Sequence, residues 1–345
     1  MSRPAGRAII GRLGRTGPTG VDLDDRELLV RLGAGEVSGD ALAREAGITR
    51  AAVWKRIQAL RAAGVEVEAR AGQGYALVRA PDLLDADALR AALPPAVAAG
   101  LASLEVAWSI DSTNSELLRG AAPEYGARVL LAERQTAGRG RLGRSWASPL
   151  GAQVCLSVRR GFEGGLARLG GLGLVAGVAV VEALHDLGFA AAGLKWPNDV
   201  VVADRKLAGL LVEGGGEHGG PVHAVIGLGL NVRLPASASA AIDQPWTDLA
   251  HLADPGSVPG RNTIAAAVLA RLLPALDQFD RDGLAPFLPR YAPLDALAGR
   301  PVRVLGGRET IEGEALGLAA DGALRVRTDA GERLFHAGEV SVRPR

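Results

Sequence analysis

Residues 166–188 read LARLGGLGLVAGVAVVEALHDLG, a stretch that is apolar on nearly every face of a helical wheel. A surface helix keeps one polar side, so a helix of this kind must be enclosed by other elements. Around it lie LEVAWSI, RVLLAE, VCLSV, the pair VVVA and KLAGLLVE joined across ADR, and HAVIGLGLNV. All are short and rich in branched apolar residues, as strands are. A short helix is expected near 113–120 and two more at 262–281 and 283–291. The fold class is α+β, with a mixed sheet carrying the enclosed helix.

With 48% hydrophobic residues in 345, the chain can bury more than one core. No run approaches 18 uninterrupted apolar residues, and the start MSRPAGRAII lacks the apolar stretch of a secretory signal. A soluble, cytoplasmic protein without membrane contact is expected. The single cysteine, Cys155, sits inside VCLSV and reads as a buried strand thiol. It can build neither a disulfide nor a zinc site, and His185, His218, His223, His251 and His336 fall in no catalytic pattern, so no metal ligands are assigned.

The ends of the chain differ from the middle. Residues 1–20 carry Arg3, Arg7, Arg12 and Arg15 and no acid, which reads as a disordered basic tail. Residues 21–80 hold a helical segment DDRELLVRL and then SGDALAREAGITRAAVWKRIQALRAAG, with Ser38 and Thr49 as N-caps and Gly47 at the turn. That spacing is a helix-turn-helix, and the strand pair VEVEA and YALV across RAGQG adds a wing. Val53, Ile57 and Leu60 share one face of the second helix; Lys55 and Gln58 lie opposite, with Arg50 and Trp54 on the flank. Residues 49–61 hold four basic side chains and no acid, so Arg50, Trp54, Lys55 and Gln58 are the expected DNA contacts, with Arg70 at the wing tip. Residues 81–100 read as a Pro/Ala-rich linker with one helix, and 101–296 as the central domain. From 297 to 345 the strands PVRVL, TIEGEALGL, ALRVRT, RLFHA and EVSVR suggest a small SH3-like β-barrel.

Charge points to the chemistry. Of 39 basic residues only Lys55, Lys195 and Lys206 are lysine. Where lysine persists among so many arginines, its compact, titratable ammonium is a candidate requirement. Lys195 opens KWPNDV and Lys206 lies in DRKLAG. The segment GRGRLGRSWASPLG, residues 138–151, sets Arg139, Arg141 and Arg144 among glycines. Backbone amides in such a loop can cradle anionic oxygens, and the arginine forks bind carboxylate or phosphate, so the loop reads as a mobile lid over a phosphate-bearing ligand. An arginine-rich nucleic-acid contact is the rival, but such segments are repeated, and this one is a single copy between strands. The Walker pattern and a strand-linked GxGxxG are both absent. DSTN, 111–114, offers hydroxyls and an amide at a helix start for a small polar head group.

AERQTAGRGRLGRSWASPLG, KWPNDV, DRKLAGLLVE and GLGLN together resemble the biotin protein ligases. With the winged helix, the chain is similar to the bacterial class that combines this ligase with repression of the biotin operon. The resemblance runs in order from about 22 to 345. It implies that biotin and ATP, with Mg²⁺, form biotinyl-5′-AMP, and that an acceptor lysine of a biotin carboxyl carrier protein then takes the biotin. By motif, Ser112, Thr113, Asn114, Gln135, Arg139, Gly140, Arg141 and Lys206 would bind biotin. Arg144, Trp146, Lys195, Asn198 and Asn231 would serve the nucleotide, and Lys206 and Arg141 the catalysis. Family acceptors present a Met-Lys pair; Met1 is the only methionine here, so the acceptor is a separate protein. The resemblance further implies operator DNA as partner and a homodimer formed when biotinyl-AMP is bound. The competing reading is a transcription factor that senses a ligand without transferring it. Lys195, Lys206 and the arginine lid count against that, since a sensor needs no poised lysine.

Overall fold

The computed structural model describes residues 24–344 except 71, 164, 217–221, 307–308 and 339. The basic tail lies outside the described residues. The chain divides into a smaller unit ending at Ala80 and a larger one from Pro81 onward, to which residues 62–65 also belong.

In the smaller unit, α1 (Asp25–Gly33) starts with a reciprocal cap. The Asp24 carboxylate accepts from the Glu27 amide at 2.7 Å, and the Glu27 side chain accepts from the Asp24 amide at 3.1 Å. Ser38 caps α2 (Gly39–Glu45), and the Thr49 hydroxyl accepts from Ala52 at the start of α3 (Arg50–Ala62), as expected. Gly47, at φ +63°, makes the turn between them. Leu28, Leu32, Leu42, Val53, Ile57 and Leu60 are buried. The wing is β1 (Val67–Arg70) paired with β2 (Gly74–Leu77), and Val37 adds a further rung by exchanging hydrogen bonds with Tyr75 at 3.0 and 2.9 Å. A Cβ at Gly74 would come within 2.2 Å of the Val37 carbonyl oxygen, so that rung requires glycine.

The larger unit begins with α4 (Ala86–Ala92) and α5 (Pro95–Ala99). This corrects the expected linker: Leu84, Leu89 and Leu93 are buried in the main core, because the Pro/Ala composition conceals three leucines spaced to face one side. Next come β3 (Leu101–Ile110), α6 (Thr113–Arg119), β4 (Ala127–Gln135), the short β5 (Gly138–Arg139) and β6 (Ser145–Trp146), and β7 (Gln153–Phe162). Then follow α7 (Leu172–Asp186), β8 (Gly193–Lys195), β9 (Asp199–Val202), β10 (Arg205–Gly216) and β11 (Val222–Asn231). The main sheet has seven strands in the order β3-β4-β7-β11-β10-β9-β8, with β3 and β4 parallel and the other pairs antiparallel. It is the mixed sheet the pattern predicts.

The apolar helix is enclosed as required. It is shorter than the pattern suggests, since residues 166–169 form a 3-10 turn and Gly171, at φ +83°, restarts the chain as α7. By length and composition Leu166–Asp186 could cross a membrane. Its α-helical part spans only about 22 Å, short of a bilayer's ~30 Å. Leu172, Val175, Val178, Val181 and Leu184 are all fully buried between the sheet and α9 (Arg261–Asp282), which follows the short α8 (Leu249–Leu252). The helix expected at 283–291 is a 3-10 turn plus the four-residue α10 (Leu288–Tyr291).

At the C-terminus β12 (Pro301–Gly306), β13 (Glu309–Leu318), β14 (Leu324–Thr328), β15 (Gly331–Phe335) and β16 (Val340–Pro344) form one sheet in the order β15-β14-β13-β12-β16. All five expected strands are present, but among the described residues no barrel is closed: β15 and β16 are the two edges of the sheet. Closure is unnecessary because Val302, Val304, Ala315, Leu324, Val326 and Val342 join the same continuous core as α7 and α9. Apolar faces that find a partner layer need not curl upon themselves.

One buried ion pair ties this unit together. Arg261, 1% exposed, meets Glu133, 3% exposed, and also donates to the carbonyls of Asp82 (2.8 Å) and Gln153 (3.0 Å). The other Glu133 oxygen accepts from the Leu84 amide at 2.6 Å. Removing one partner leaves an uncompensated buried charge. Glu133→Ala is therefore expected to lower unfolding stability by about 3–5 kcal/mol, read from urea denaturation.

Candidate active site

Strand alternation builds the site. Along β10 and β11 the residues Ala208, Leu210, Ile226, Leu228 and Leu230 point into the core, so Gly209, Leu211, Glu213, Gly227, Gly229 and Asn231 face the other way. Glycine on that face leaves room that side chains from elsewhere occupy. A Cβ at Gly227 would meet Asn114 Oδ1 at 2.2 Å, and one at Gly229 would meet the Trp146 indole at 2.4 Å. Above this face lies a cavity of about 760 Å³. Every residue expected at biotin or nucleotide lines it, except Asn231.

At one end sits the DSTN segment. Ser112 caps α6. The Thr113 amide and hydroxyl both donate to Gln135 Oε1, at 2.8 and 3.1 Å. Asn114 donates to Glu213 at 2.8 Å, and the Ser157 hydroxyl lies 2.6 Å from Asn114 Oδ1 and 2.7 Å from Thr113 Oγ1. Ser112, Thr113 and Asn114 are all nearly excluded from solvent. Hydrogen-bonded on both sides, they present a fixed pattern of donors and acceptors.

The arginine segment is a folded ribbon. β5 and β6 pair antiparallel, and the turn between them is closed by Gly140 N–H to Arg144 C=O at 2.7 Å. Leu142 at φ +54° and Gly143 at +72° make the reversal, and Leu142 is 62% exposed at its tip. Arg139 donates to Glu213 at 2.7 Å. Arg141 donates to Asn198 Oδ1 at 3.1 Å and to the Ala337 carbonyl of the C-terminal sheet. The Trp146 indole packs on Gly209 and Gly229, its N–H 3.3 Å from Gln153 Oε1.

KWPND forms the opposite wall. Trp196 is 1% exposed and donates to the Gly322 carbonyl at 3.1 Å, anchoring the turn with its cis Trp196–Pro197 peptide. Asn198 donates to the Leu210 carbonyl at 2.7 Å. Burial lowers the pKa of the Lys195 ammonium, with Asp199 opposing and Lys206 and Arg343 reinforcing the shift. Lys206 is aimed by a β-bulge, because β9 pairs with Lys206 and then with Ala208. Its amide donates to Pro245 at 2.9 Å and its carbonyl accepts from Thr247 at 3.0 Å. Its ammonium lies 2.7 Å from Asp199 and 5.5 Å from the Trp146 ring centroid.

Asn231 has a different place from the one expected. It is 3% exposed and does not line the cavity, accepts from Gln153 at 2.7 Å and donates to the Thr247 carbonyl at 2.9 Å, so it braces the 245–247 segment that is hydrogen-bonded to Lys206. Sequence reasoning passed over Asp199, Glu213, Gln153, Ser157 and Arg343. Only the GLGLN alternation signalled any of this, by marking a sheet face kept bare. Cys155 is buried and its thiol pKa is raised by that burial, which leaves it unreactive.

In the smaller unit Arg50, Trp54 (54% exposed) and Lys55 stand outward on α3, and Gln58 is partly covered. Arg70 on the wing is engaged by Glu36 at 3.4 Å and Glu68 at 3.2 Å.

Comparison with known proteins agrees with this layout. The sequence model of the Biotin/lipoate A/B protein ligase family matches residues 106–231, an HTH domain matches 26–76, and the Biotin protein ligase C terminal domain matches 298–343. The chain is 39% identical over 318 residues to the bifunctional ligase/repressor BirA of Escherichia coli, covering 92% of this chain and 96% of that one. It is 36% identical over 248 residues to the biotin--[acetyl-CoA-carboxylase] ligase of Mycobacterium tuberculosis, covering 70% and 89%. The solved biotin protein ligase of Aquifex aeolicus in complex with biotin and ATP superimposes with a TM-score of 0.59 at 29% identity, over 71% of this chain and all of that one. With these domains in this order and identity sustained over nine-tenths of its length, the chain belongs to the biotin protein ligase family, in its bifunctional ligase/repressor class.

Proposed function

We propose that the cavity joins biotin to ATP and passes the product to a lysine of a biotin carboxyl carrier protein, while α3 and the wing bind operator DNA. What carries the reading is the convergence on one cavity of Ser112, Thr113, Asn114, Gln135, the arginine ribbon, Trp146, Lys195, Asn198 and Lys206. The biotin head group would take the paired donors and acceptors of Ser112, Thr113, Asn114 and Gln135. The carboxylate would then attack the α-phosphorus and release pyrophosphate, a meeting of two anions that fixed cations favour. Lys206 would sit between them, with Arg139 and Arg141 closing over the reacting atoms and Gly140 allowing the backbone close approach. Lys195, Arg144, Trp146 and Asn198 would hold the nucleotide.

Mg²⁺ enters this reading with the phosphates. Among the described residues no cluster of three His, Cys, Asp or Glu side chains could hold a metal ion alone. A magnesium ion carried on phosphates needs only one or two carboxylates, and Asp199, on the cavity wall, fits that need. Bound, it would screen phosphate charge. In the second step the acceptor amine attacks the acyl carbonyl and AMP leaves. The folded ribbon would shield the mixed anhydride from water until then. Pairing of two chains when biotinyl-AMP is bound, on a palindromic operator, belongs to the same reading.

Lys206→Ala should cut biotinyl-AMP formation by about 10²- to 10³-fold with the melting temperature unchanged, measured by biotin-dependent exchange of pyrophosphate into ATP. The lowered Lys195 pKa sets a pH limit: its cation is lost at a lower pH than an ordinary lysine's, so adenylation should fall on the alkaline side below ~10.4. Lys195→Arg should move that limb upward; an unmoved limb assigns the titration elsewhere. Lys55→Ala should weaken binding to any duplex and reduce the salt slope by about one, with adenylation intact, as titrations at several salt concentrations would reveal.

A further inference from the structure

The turn that delivers Lys206 is held from outside the main sheet. Ala203 and Asp204, which join β9 to β10, are both left-handed, at φ +47° and +63°, although neither is glycine. Two-residue hairpins need such angles, and side chains resist them. The Asp204 carboxylate is gripped at both oxygens by the Arg300 guanidinium, at 2.8 and 2.9 Å. Arg300 lies just before β12, where its own carbonyl accepts from Ala315 at 2.9 Å and its amide donates to Leu297 at 3.0 Å. The same guanidinium donates to the Ala296 carbonyl at 3.2 Å, and the Ala296 amide donates to Leu194, next to Lys195, at 2.8 Å.

One planar fork thus fastens two things at once: the turn two residues before Lys206, and the segment bonded to the strand that ends in Lys195. Asp204 itself lines the cavity. The Arg300 hydrogen bond holds its carboxyl below the usual range, so the grip persists across neutral pH. An arginine matches both carboxylate oxygens simultaneously, whereas lysine would supply a point charge and leave the turn free to pivot.

We propose that Arg300 is a positioning residue for adenylation, setting the relative placement of Lys195 and Lys206 through its bidentate hold on Asp204. This rests on the roles given above to the two lysines. Arg300 touches no substrate; it acts through the turn. Misplacement of a reacting group by an ångström is enough to lose one or two orders of magnitude in rate.

The test uses the full chain and the variants Arg300→Gln, Arg300→Lys, Asp204→Asn, Lys206→Ala and the double variant Arg300→Gln with Lys206→Ala. Biotinyl-AMP is quantified by mass spectrometry over hours, so that slow variants still give rates, and melting temperatures are recorded alongside. Arg300→Gln and Asp204→Asn are each expected to lower kcat about tenfold, with KM for biotin within about twofold. Arg300→Lys should recover only part of the loss, and Arg300→Gln should add less than its own tenfold loss to Lys206→Ala, because only its effect through Lys195 remains there. A wild-type kcat in both Arg300→Gln and Asp204→Asn, or a full further tenfold loss on the Lys206→Ala background, overturns the clamp while leaving Lys206 in its role. A wild-type rate in Lys206→Ala overturns the underlying reading instead. Should Arg300→Gln fail to fold, Asp204→Asn decides alone.

Discussion

Cations crowded into a half-buried cleft repel one another, and the larger unit is arranged around keeping them there. Lys195, Lys206, Arg141, Arg144 and Arg343 all line one cavity. Two like charges about 4 Å apart near a protein surface oppose each other by ~4 kcal/mol. Part of the repulsion is offset locally. Asp199 pairs with Lys206, Glu213 with Arg139, and Arg141 rests on neutral oxygens of Asn198 and Ala337. Among the described residues Lys195 has no such direct ion pair, and burial lowers its pKa although Asp199 opposes the shift. Phosphate and carboxylate offset the remaining repulsion together, which is why such a cleft suits a reaction that brings two anions into contact.

Holding charges against repulsion needs a rigid back wall. Arg261 supplies its centre, joining α9 to Asp82, to Glu133 on β4 and to the backbone of Gln153 on β7. The Gln153 side chain continues forward, accepting from Trp146 and donating to Asn231, and Asn231 braces Thr247 beside Lys206. Buried polar groups are tolerable only when their partners are supplied, and here the chain of partners runs from the buried Arg261 to the wall of the cavity. The C-terminal sheet closes the other side, through Trp196 to Gly322 and Arg300 to Asp204. Its apolar face is spent on the shared core, which explains an open sheet where a barrel was expected.

Much of this was legible in the sequence, for physical reasons that differ by element. The winged helix could be read because caps and turn glycines act locally: Ser38, Gly47 and Thr49 are where their chemistry requires. The strands of the main sheet could be read from branched apolar runs, and the site from clustered arginines and surviving lysines. Local pattern does not carry long-range partners. Asp199 and Glu213 looked like ordinary strand-end acids, and only folding sets them against Lys206 and Arg139. Asn231 shares a strand face with Gly227 and Gly229, yet it is buried against Gln153 and Thr247, a depth that periodicity cannot express. Residues 81–100 misled because composition counts prolines and alanines, whereas burial depends on where Leu84, Leu89 and Leu93 point.

The central claim is that this one cavity makes an acyl-adenylate and hands it on. The most direct measurement is mass spectrometry of the purified chain incubated with biotin, Mg-ATP and a biotin carboxyl carrier domain. The account predicts biotinyl-5′-AMP in the absence of the carrier and a single biotin mass added to the carrier lysine in its presence. Tight retention of biotin with neither product would contradict it, and would make the cavity a sensor attached to a DNA-binding unit.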